Sequence, residues 1–276
     1  MRELAIIILQ HNTPDFVTAN LEKLSVATLP PDTEIIVVDN GGKAANSKIP
    51  PDSHKNLNVK FFEMPNLGFP AGNNFGLSKT EAKYYAFINP DIEVKPDTIK
   101  NLLEYMKAHP NVGIVSPQLH YRDGSIQDNY RVFPSILDLI IKRIEFLRKK
   151  FPERMRRYLM WDRDPNADEP VDWVTGAFNV VTAECLQAID NHDDRHYFLF
   201  MSDVALCRDA WDKGFEVHIV GSTQCLHNDL RVSSGGPMDV LRKRIIRLHI
   251  KDSIKYFWHY AFKPLPKNAP SKKATN

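Results

Sequence analysis

The sequence predicts an α/β protein in which a mostly parallel central sheet is flanked by helices. Over the first 120 residues, short apolar runs that are typical of strands alternate with amphipathic stretches. These runs are almost continuously apolar, as expected for parallel strands that are covered on both faces. Pro14 and Pro96 stand where first helical turns would begin, a position that tolerates proline. The three observations together favour the α/β class.

The first half of the chain is predicted to contain five strands and three helices. The strands are residues 4–9, 34–39, 59–64, 84–89 and 112–117, and the helices lie near 15–28, 70–80 and 96–108. In the second half, a basic amphipathic segment at 135–160 is interrupted at Pro152, and an apolar run follows at 171–182. Helices are predicted near 183–189 and 202–213, short strands at 216–220 and 223–227, and a last helix at about 238–262.

No internal repeat and no long linker divides the chain into independent domains. We therefore predict one domain over residues 1–237, with halves at 1–120 and 121–237, followed by an amphipathic helix and a flexible tail at 238–276. The content of 43% hydrophobic and 25% charged residues is that of a globular protein. A net charge of +2 gives no reason to expect a nucleic-acid partner.

The cysteines and the apolar runs indicate the cellular compartment. The chain has three widely separated cysteines and no C-x-x-C pair, so neither a zinc knuckle nor a disulfide framework is predicted. No apolar run approaches the roughly 20 residues that a membrane span needs. These features predict a cytoplasmic protein with reduced thiols.

Polar residues stand at the carboxyl ends of four predicted strands, where open parallel sheets bind their ligands. They are Gln10, His11 and Asn12, then Asp39 and Asn40, then Asn66, and then Asn89 and Asp91. A single polar strand end is normally a cap or a turn, but four in one sheet favour a ligand crevice. The glycine patterns of NAD and P-loop sites are missing after the first strand. A diphosphate could still be held by a divalent cation on a carboxylate such as Asp91.

Six segments, in this order, resemble glycosyltransferase family 2, and within it the rhamnosyltransferase-like bacterial enzymes with the GT-A fold. They are VVDN (37–40), NLGFPAGNNFGL (66–77), FINPDIEVKPD (87–97), DWVTGAF (172–178), YFLFMSDVALCRDAWDKGFEV (197–217) and CLH (225–227). The resemblance spans roughly residues 4–235. It implies a GT-A fold and the transfer of a sugar, with inversion, from a nucleotide diphosphate donor in the presence of Mn²⁺ or Mg²⁺.

The resemblance also implies which residues bind the donor. Asp39 would contact the pyrimidine or ribose, although it could instead be a turn carboxylate. Gln10 and Asn12 would lie in the loop that closes over the base. The remaining residues implied to bind the nucleotide sugar are Asn66, Gly68, Asn73, Asn89 and Asp91. The glycine-rich run at residues 66–77 is expected to begin a helix as well as to bind the donor.

The same resemblance implies two metal ligands and one general base. Asp91 occupies the position of the second carboxylate of the family's D-x-D motif, and Asn89 replaces the first. His227 would be a second metal ligand, although a lone strand histidine is more often structural. Asp203 would be the general base, or else only a cap of the helix that follows it.

Acceptor contacts are implied at the DWVTGAF segment, at Trp173, Thr175 and Gly176. Trp173 could stack on a sugar or simply fill the core. The sequence departs from the family pattern nearby, because Ser202 precedes Asp203 where an acidic residue is common, and Asp193-Asp194-Arg195 replaces F-D-E. These departures put the acceptor contacts in doubt more than the reaction class.

Two basic stretches, 142–157 and 242–263, carry aromatic or aliphatic residues between their lysines and arginines. Basic amphipathic helices of this kind suit an anionic membrane surface. The alternative is a solvated face that packs on the domain or on a partner subunit, as in a homodimer.

Together these features predict a metal-dependent inverting transferase of rhamnose from dTDP-rhamnose. Its acceptor would be a glycan or a polyprenyl-diphosphate-linked sugar of a bacterial surface polysaccharide, met at the inner face of the plasma membrane. The alternatives are a UDP-galactose or UDP-glucose donor on the same scaffold, and a catalytically silent carbohydrate-binding or assembly protein. A nucleotidyltransferase is disfavoured, because no glycine-rich basic loop follows the first strand.

Overall fold

The computed structural model describes residues 1–41, 45–228 and 244–273, with only the backbone of the last two residues. The strands are β1 Arg2–Gln10, β2 Glu34–Asp39, β3 Val59–Glu63, β4 Ala82–Ile88, β5 Ile92–Glu93, β6 Val112–His120, β7 Tyr130–Arg131, β8 Asp168–Pro170, β9 Trp173–Val174, β10 Phe178–Thr182 and β11 Glu216–His227. The α-helices are α1 Pro14–Ser25, α2 Phe69–Leu77, α3 Thr98–Ala108, α4 Ile136–Arg143, α5 Glu145–Lys150, α6 Pro152–Tyr158, α7 Ala183–Ala188, α8 Ser202–Asp212, α9 Arg244–His259 and α10 Pro270–Lys273. Two 3₁₀ turns lie at Ala45–Lys48 and Pro51–His54.

The central sheet has the order β3-β2-β1-β4-β10-β6-β11-β5, with β8 pairing along β11. β1 to β4 run parallel to one another, and β6 is parallel to β11, so the predicted α/β class is confirmed. β10 runs antiparallel between β4 and β6. Its first residues therefore lie beside the carboxyl end of β4, where the Asn89 amide donates to the Ala177 carbonyl at 2.8 Å. This reversal brings the second half of the chain to the predicted crevice.

The central parallel strands β1 and β2 are mostly apolar and buried because both faces of the sheet are covered there. Along β1, Leu4, Ile6 and Ile8 enter one core cluster, with residues of α1 and α3. Ala5 and Ile7 enter the other cluster, with residues of α7, α8 and α9. Successive strand residues point to opposite faces, so each face receives every second side chain.

α2 packs unusually close to β1. A Cβ added at Gly72 would lie 2.5 Å from the Leu9 side chain, and one at Gly76 would lie 2.6 Å from Ile7. Only glycine permits this approach, which holds the amino end of α2 at the edge of the sheet where β1 and β2 end.

The C-terminal helix is built into the fold. The described part of α9 begins at Arg244. The helical prediction for residues 238–243 lies outside the described residues. Tyr256 and Tyr260 are buried in the same cluster as α8. In the segment predicted to be a flexible tail, Ala269 is fully buried and the Ser271 amide donates to Asp172 at 2.9 Å.

Two further segments differ from the sequence prediction. The strands predicted at 216–220 and 223–227 are one strand, β11, with an irregular register between Val220 and Gln224. The basic segment 135–160 forms three short helices, and Pro152 begins the last of them.

Candidate active site

Asp39 organises the loop that follows β2. It is 1% exposed, and its two carboxylate oxygens accept hydrogen bonds from the amides of Gly41 and Ala45, each at 2.7 Å. This is the turn role that the sequence left open beside nucleotide binding. The carboxylate thus fixes the shape of the crevice wall between β2 and the first 3₁₀ turn.

Gln10 and Asn12 have different environments at the end of β1. Gln10 is fully buried, where its Nε2 donates to Asn46 Oδ1 at 2.5 Å and its Oε1 accepts from the Thr13 amide at 3.2 Å. Asn12 is exposed and has a left-handed backbone with φ of 58°. The neighbouring His11, which was counted among the polar strand ends but given no role, is also exposed. At this end of the crevice, His11 and Asn12 are thus open to a ligand, whereas Gln10 shapes the loop.

The amino end of α2 is fixed by the segment that precedes α8. Gly68 has φ of +106°, and a Cβ there would lie 2.4 Å from the Phe198 carbonyl oxygen. The Phe69 amide donates to the same carbonyl at 2.7 Å. Asn66 is exposed, and its Oδ1 accepts from the Gly68 amide at 3.2 Å. The glycine-rich run therefore joins the two halves of the site.

Asn73 is 1% exposed and faces a small cavity beneath Asp203 rather than open solvent. The cavity, about 10 Å³, is lined by side chains that include Asn179 and His192. The Asn73 Nδ2, Asn179 Oδ1 and His192 Nε2 atoms are all buried without a partner in the described parts of the chain. A polar cavity of this size suits one ordered water. A direct contact of Asn73 with a donor remains a prediction.

Asp91 and His227 lie together at the mouth of the site. Asp91 Oδ2 is 3.4 Å from His227 Nε2, and the two side chains are 18% and 13% exposed. Gln127 fixes the ring of His227. The Gln127 Nε2 atom donates to the His227 carbonyl at 3.2 Å, and the Gln127 Oε1 atom therefore faces His227 Nδ1 at 2.8 Å. Nδ1 must then carry a proton, and in the neutral ring the Nε2 lone pair points toward the carboxylate.

Two electron-pair donors that converge in this way suit a divalent cation. Carboxylate oxygen and imidazole nitrogen are both ligands of Mn²⁺, and a second residue that orients a metal-binding histidine is the usual arrangement. No group of three or more histidine, cysteine or acidic side chains that could hold a metal occurs in residues 1–41, 45–228 and 244–271.

Asp203 lies at the first turn of α8, half-buried above the cavity. Its Oδ2 accepts from the Gly176 amide at 3.2 Å and its Oδ1 from the Val204 amide at 2.9 Å. Burial raises the pKa of the Asp203 carboxyl above its usual value, while these amides and the Arg131 guanidinium act in the opposite direction. Since Gly176 adjoins Ala177, which binds the backbone of Asn89, Asp203 and Asp91 flank the same junction of β4 and β10.

The predicted acceptor residues divide between core and surface. Trp173 is 4% exposed and its Nε1 donates to the Val132 carbonyl at 2.8 Å, which is the core role of the two that the sequence left open. The Arg131 guanidinium lies 4.8 Å from the centroid of its ring. Thr175 and Gly176 are half-buried at the rim. Gln127 and Arg131 were not predicted, because nothing in the local sequence marks either of them.

Comparison with known proteins places the chain among sugar-transferring enzymes. The family model described as "Glycosyl transferase family 2" matches residues 5–165. A rhamnosyltransferase of Escherichia coli K12, WbbL, is 26% identical over 80% of this chain and 82% of its own length. The N-acetylglucosaminyl-diphospho-decaprenol L-rhamnosyltransferase of Mycobacterium tuberculosis is 23% identical over 79% of this chain and 73% of its own length.

Solved structures share the fold at low sequence identity. Residues 1–349 of TarS from S. aureus superpose with a TM-score of 0.57 at 13% identity, over 95% of this chain and 72% of that one. GalNAc-T7, solved with UDP, GalNAc and Mn²⁺, superposes with a TM-score of 0.60 at 12% identity, over 82% of this chain and 44% of that one. TarS has also been solved with UDP-GlcNAc. Similarities at this identity show the fold alone.

Proposed function

The chain belongs to glycosyl transferase family 2 and has a GT-A fold, and from this premise we propose that it transfers rhamnose from dTDP-rhamnose, with inversion. The proposed acceptor is a polyprenyl-diphosphate-linked sugar or a growing glycan of a bacterial surface polysaccharide. The observation that carries the proposal is that Asp203 accepts from the Gly176 amide, next to the hydrogen bond between Ala177 and Asn89. Asp91 lies two residues beyond Asn89, where it contacts His227.

The relatives support this donor and acceptor, with one alternative. Two enzymes that align over most of the chain are named rhamnosyltransferases, and the name of one specifies a diphospho-decaprenol acceptor. Three solved structures that share the fold contain UDP with GalNAc, UDP, and UDP-GlcNAc, respectively. A UDP-sugar donor on the same scaffold is therefore the second candidate.

The proposed reaction is a single displacement at the anomeric carbon. The bond from that carbon to the donor diphosphate breaks while a bond to an acceptor oxygen forms, and Asp203 takes the proton of the acceptor hydroxyl. Its raised pKa makes the carboxylate a stronger base than an exposed aspartate. The Gly176 and Val204 amides hold its two oxygens, so the direction of the carboxylate is set before the acceptor arrives.

Asp91 and His227 would hold the divalent cation, which supplies positive charge to the departing diphosphate. Gln127 keeps the Nε2 atom of His227 turned toward Asp91. At the other end of the crevice, the loop shaped by Asp39 and Gln10 would receive the nucleoside, with Asn12 and the exposed His11 against the base. Asn66 and the backbone at Gly68 would lie near the donor sugar.

We propose peripheral membrane contact through α9. No helix within the described residues is long and apolar enough to cross a membrane. Ile250, Ile254 and Trp258 lie four residues apart on α9 and are 38%, 64% and 82% exposed. They form an apolar stripe beside the basic residues of the same helix, as in helices that lie in a membrane interface. A partner subunit on this stripe is the alternative.

Donor turnover tests the proposed function. With dTDP-rhamnose, Mn²⁺ and a lipid-linked acceptor, the wild type is expected to release dTDP, and Asp203→Asn is expected to lose about 10²–10⁴-fold in turnover. The Mn²⁺-dependent rise in melting temperature with dTDP should be retained in Asp203→Asn and lost in Asp91→Asn. Turnover of a UDP-hexose alone would establish the alternative donor. If no nucleotide sugar is turned over or raises the melting temperature with Mn²⁺, the protein is catalytically silent.

A further inference from the structure

Trp161 presents an open indole ring whose position is fixed by hydrogen bonds. The residue follows the end of α6, and 56% of its surface is exposed. Its indole Nε1 atom donates to Asp128 Oδ1 at 2.7 Å, and its backbone amide donates to the Arg156 carbonyl at 3.0 Å. A tryptophan has a large apolar surface and a single polar atom. Because the polar atom is used inside the protein, the exposed part of this ring is apolar.

The turn that carries Trp161 lies against residues 128–132. At the end of α6, the Tyr158 carbonyl accepts a hydrogen bond from the Val132 amide at 3.2 Å. The bond from the indole to Asp128 is the second link between the two segments. Two hydrogen bonds at different positions along both segments fix the side of the molecule on which the ring lies.

The segment that contains Asp128 contacts both parts of the candidate active site. Gln127, which precedes it, has its Oε1 atom 2.8 Å from His227 Nδ1. Asn129, which follows it, accepts through its carbonyl from the Thr175 amide at 2.8 Å. Consecutive Cα atoms are about 3.8 Å apart. Asp128 therefore stands between the His227 side of the site and the Thr175 side.

The Thr175 side leads directly to Asp203. Thr175 adjoins Gly176, whose amide donates to Asp203 Oδ2 at 3.2 Å. Three hydrogen bonds in series, with short lengths of backbone between them, thus connect Trp161 to the proposed general base. The open ring therefore lies beside the candidate active site and not on a remote face of the molecule.

Asp128 has an acceptor atom that the protein does not use. Its Oδ1 accepts from the indole, whereas its Oδ2 accepts no hydrogen bond from residues 1–41, 45–228 or 244–271. The side chain is half-buried, and Oδ2 is not among the buried atoms that lack a partner, so this atom reaches solvent. A carboxylate has about four lone-pair sites. Asp128 can therefore accept from the hydroxyl groups of a ligand without releasing Trp161.

Trp173, for which stacking on a sugar was one of two predicted roles, has no open face. It is 4% exposed, and the Arg131 guanidinium lies 4.8 Å from the centroid of its ring. Arg131 Nη2 in turn donates to the Asp128 carbonyl at 2.7 Å. Through its backbone, Asp128 thus holds the group that lies on the inner tryptophan, and through its side chain it holds the outer, open one.

We propose that Trp161 and Asp128 form a subsite for a pyranose ring of the acceptor, in which the indole stacks on the C–H face of the sugar and Asp128 Oδ2 accepts from one of its hydroxyl groups. This inference rests on the proposed function and names a sugar-binding subsite of the same site. A pyranose has C–H groups on its faces and hydroxyl groups at its rim, which matches an apolar ring with an acceptor at its edge. The predicted nucleotide contacts lie on the first half of the chain, whereas this subsite adjoins Thr175 and Asp203.

Binding of soluble sugars to the full chain tests the subsite without requiring turnover. Saturation-transfer NMR should detect binding of the wild type to the methyl pyranoside of at least one sugar among glucose, galactose, N-acetylglucosamine and rhamnose. Trp161→Ala should weaken that pyranoside about tenfold or more, because the ring covers apolar surface of the sugar. Asp128→Asn keeps one side-chain oxygen for the indole but loses the charge, and should weaken it about tenfold. Trp161→Phe retains an aromatic ring and should recover most of the loss.

Two controls separate the subsite from general effects. Phe146→Ala removes an aromatic residue of α5 that is 69% exposed, and should leave pyranoside binding unchanged. All four variants should bind dTDP with Mn²⁺ within about twofold of the wild type. In turnover with a lipid-linked acceptor, Trp161→Ala should raise the KM for the acceptor about tenfold and leave the KM for the donor unchanged.

Four results would overturn the inference. One is a wild type that binds none of the four pyranosides. If Phe146→Ala weakens the pyranoside as much as Trp161→Ala does, the contact is unspecific. If Trp161→Ala weakens dTDP with Mn²⁺ instead, the ring serves the donor. If Trp161→Ala weakens flotation with phosphatidylglycerol vesicles but leaves pyranoside binding intact, the ring contacts a membrane.

The subsite and the proposed function can fail separately. A wild type that binds a pyranoside through Trp161 but turns over no nucleotide sugar would disprove the proposed function and leave the sugar subsite standing. Turnover with an acceptor KM that Trp161→Ala leaves unchanged would disprove the subsite and leave the proposed function standing.

Discussion

At the scale of single residues, His192 shows how the wall of the site depends on an uncharged imidazole. Its ring is 6% exposed, lies edge-on to Phe87 with 4.6 Å between ring centroids, and has an unpartnered Nε2 among the described residues. Burial lowers the pKa of His192 from 6.5 to about 4. The folded protein therefore holds this side chain neutral at pH values where the unfolded chain would protonate it.

Acid should destabilise the fold through His192. The contribution of the neutral ring is fully present above pH 6.5 and is lost as the pH falls from 6.5 toward 4, because only the unfolded state gains the proton in that window. For His192→Gln, which cannot be protonated, the loss in free energy of unfolding between pH 7 and pH 4.5 should be about 2 kcal/mol smaller than for the wild type. Urea unfolding at the two pH values measures this difference. Equal losses in both proteins would show that His192 does not titrate as its burial requires.

The sequence indicated candidate reactive groups but not the residues that support them. Asp91, Asp203 and His227 were assigned by the resemblance to glycosyltransferase family 2, and their roles stay predictions. Gln127 orients His227 across 100 residues of chain, and no local pattern could indicate such a pair. Trp173 was ambiguous because a tryptophan can either fill a core or face a sugar, and only its burial decides between the two.

At the scale of elements, α9 positions the segment that leads into α8. Asp252 is 1% exposed, and its Oδ2 accepts hydrogen bonds from the amides of Leu199 and Phe200, both at 3.0 Å. These residues immediately precede Met201, whose left-handed backbone starts α8 and so sets the position of Asp203. A residue on the last long helix thereby acts on the proposed general base, Asp203, without touching it.

Replacement of Asp252 should disturb the start of α8. Asp252→Ala leaves two backbone amides without their acceptor and should lower the free energy of unfolding by about 2–4 kcal/mol. It should also lower kcat while the affinity for dTDP with Mn²⁺ stays unchanged, because the donor side of the crevice is built on other elements. Asp252→Asn keeps one side-chain oxygen and should restore most of kcat. If both variants lose kcat equally, or if neither does, Asp252 is not a positioning residue.

The elements that were predicted correctly are those with a strong period of their own. β1 to β4 and α1 to α3 are long enough to show a continuous apolar run or a helical stripe, and the structure places them within a few residues of the prediction. β5, β7 and β9 have two residues each and exist only because a neighbouring strand pairs with them. The antiparallel direction of β10 likewise depends on its partners β4 and β6, and an apolar run carries no information about direction.

At the scale of the whole molecule, sugar transfer is proposed at Asp203 on α8, and membrane contact is proposed on α9, which packs against α8. The predicted crevice lies at the carboxyl ends of β1, β2 and β4, and α8 brings Asp203 to the Gly176 amide just before β10. α9 packs one side on α8 through Tyr256, with Tyr260 just beyond its end, and leaves its apolar stripe exposed. A lipid-linked acceptor held on this stripe would reach Asp203 without leaving the membrane surface, so the two proposed activities support one another.

Membrane binding can be tested on the apolar stripe of α9. Removing Ile254 and Trp258 together, as Ile254→Ser and Trp258→Ser, should weaken binding to phosphatidylglycerol vesicles tenfold or more, since each buried apolar side chain contributes about 1.5–3 kcal/mol. Flotation measures the bound fraction, and raising the salt concentration should reduce wild-type binding because the neighbouring lysines and arginines attract the anionic surface. Val26→Ser removes an exposed apolar residue, 68% exposed, from the other half of the chain and should leave flotation unchanged. Absence of wild-type binding at low salt would disprove the membrane proposal. If the double variant instead converts a dimer to a monomer in sedimentation, the stripe is an interface between two copies of the chain.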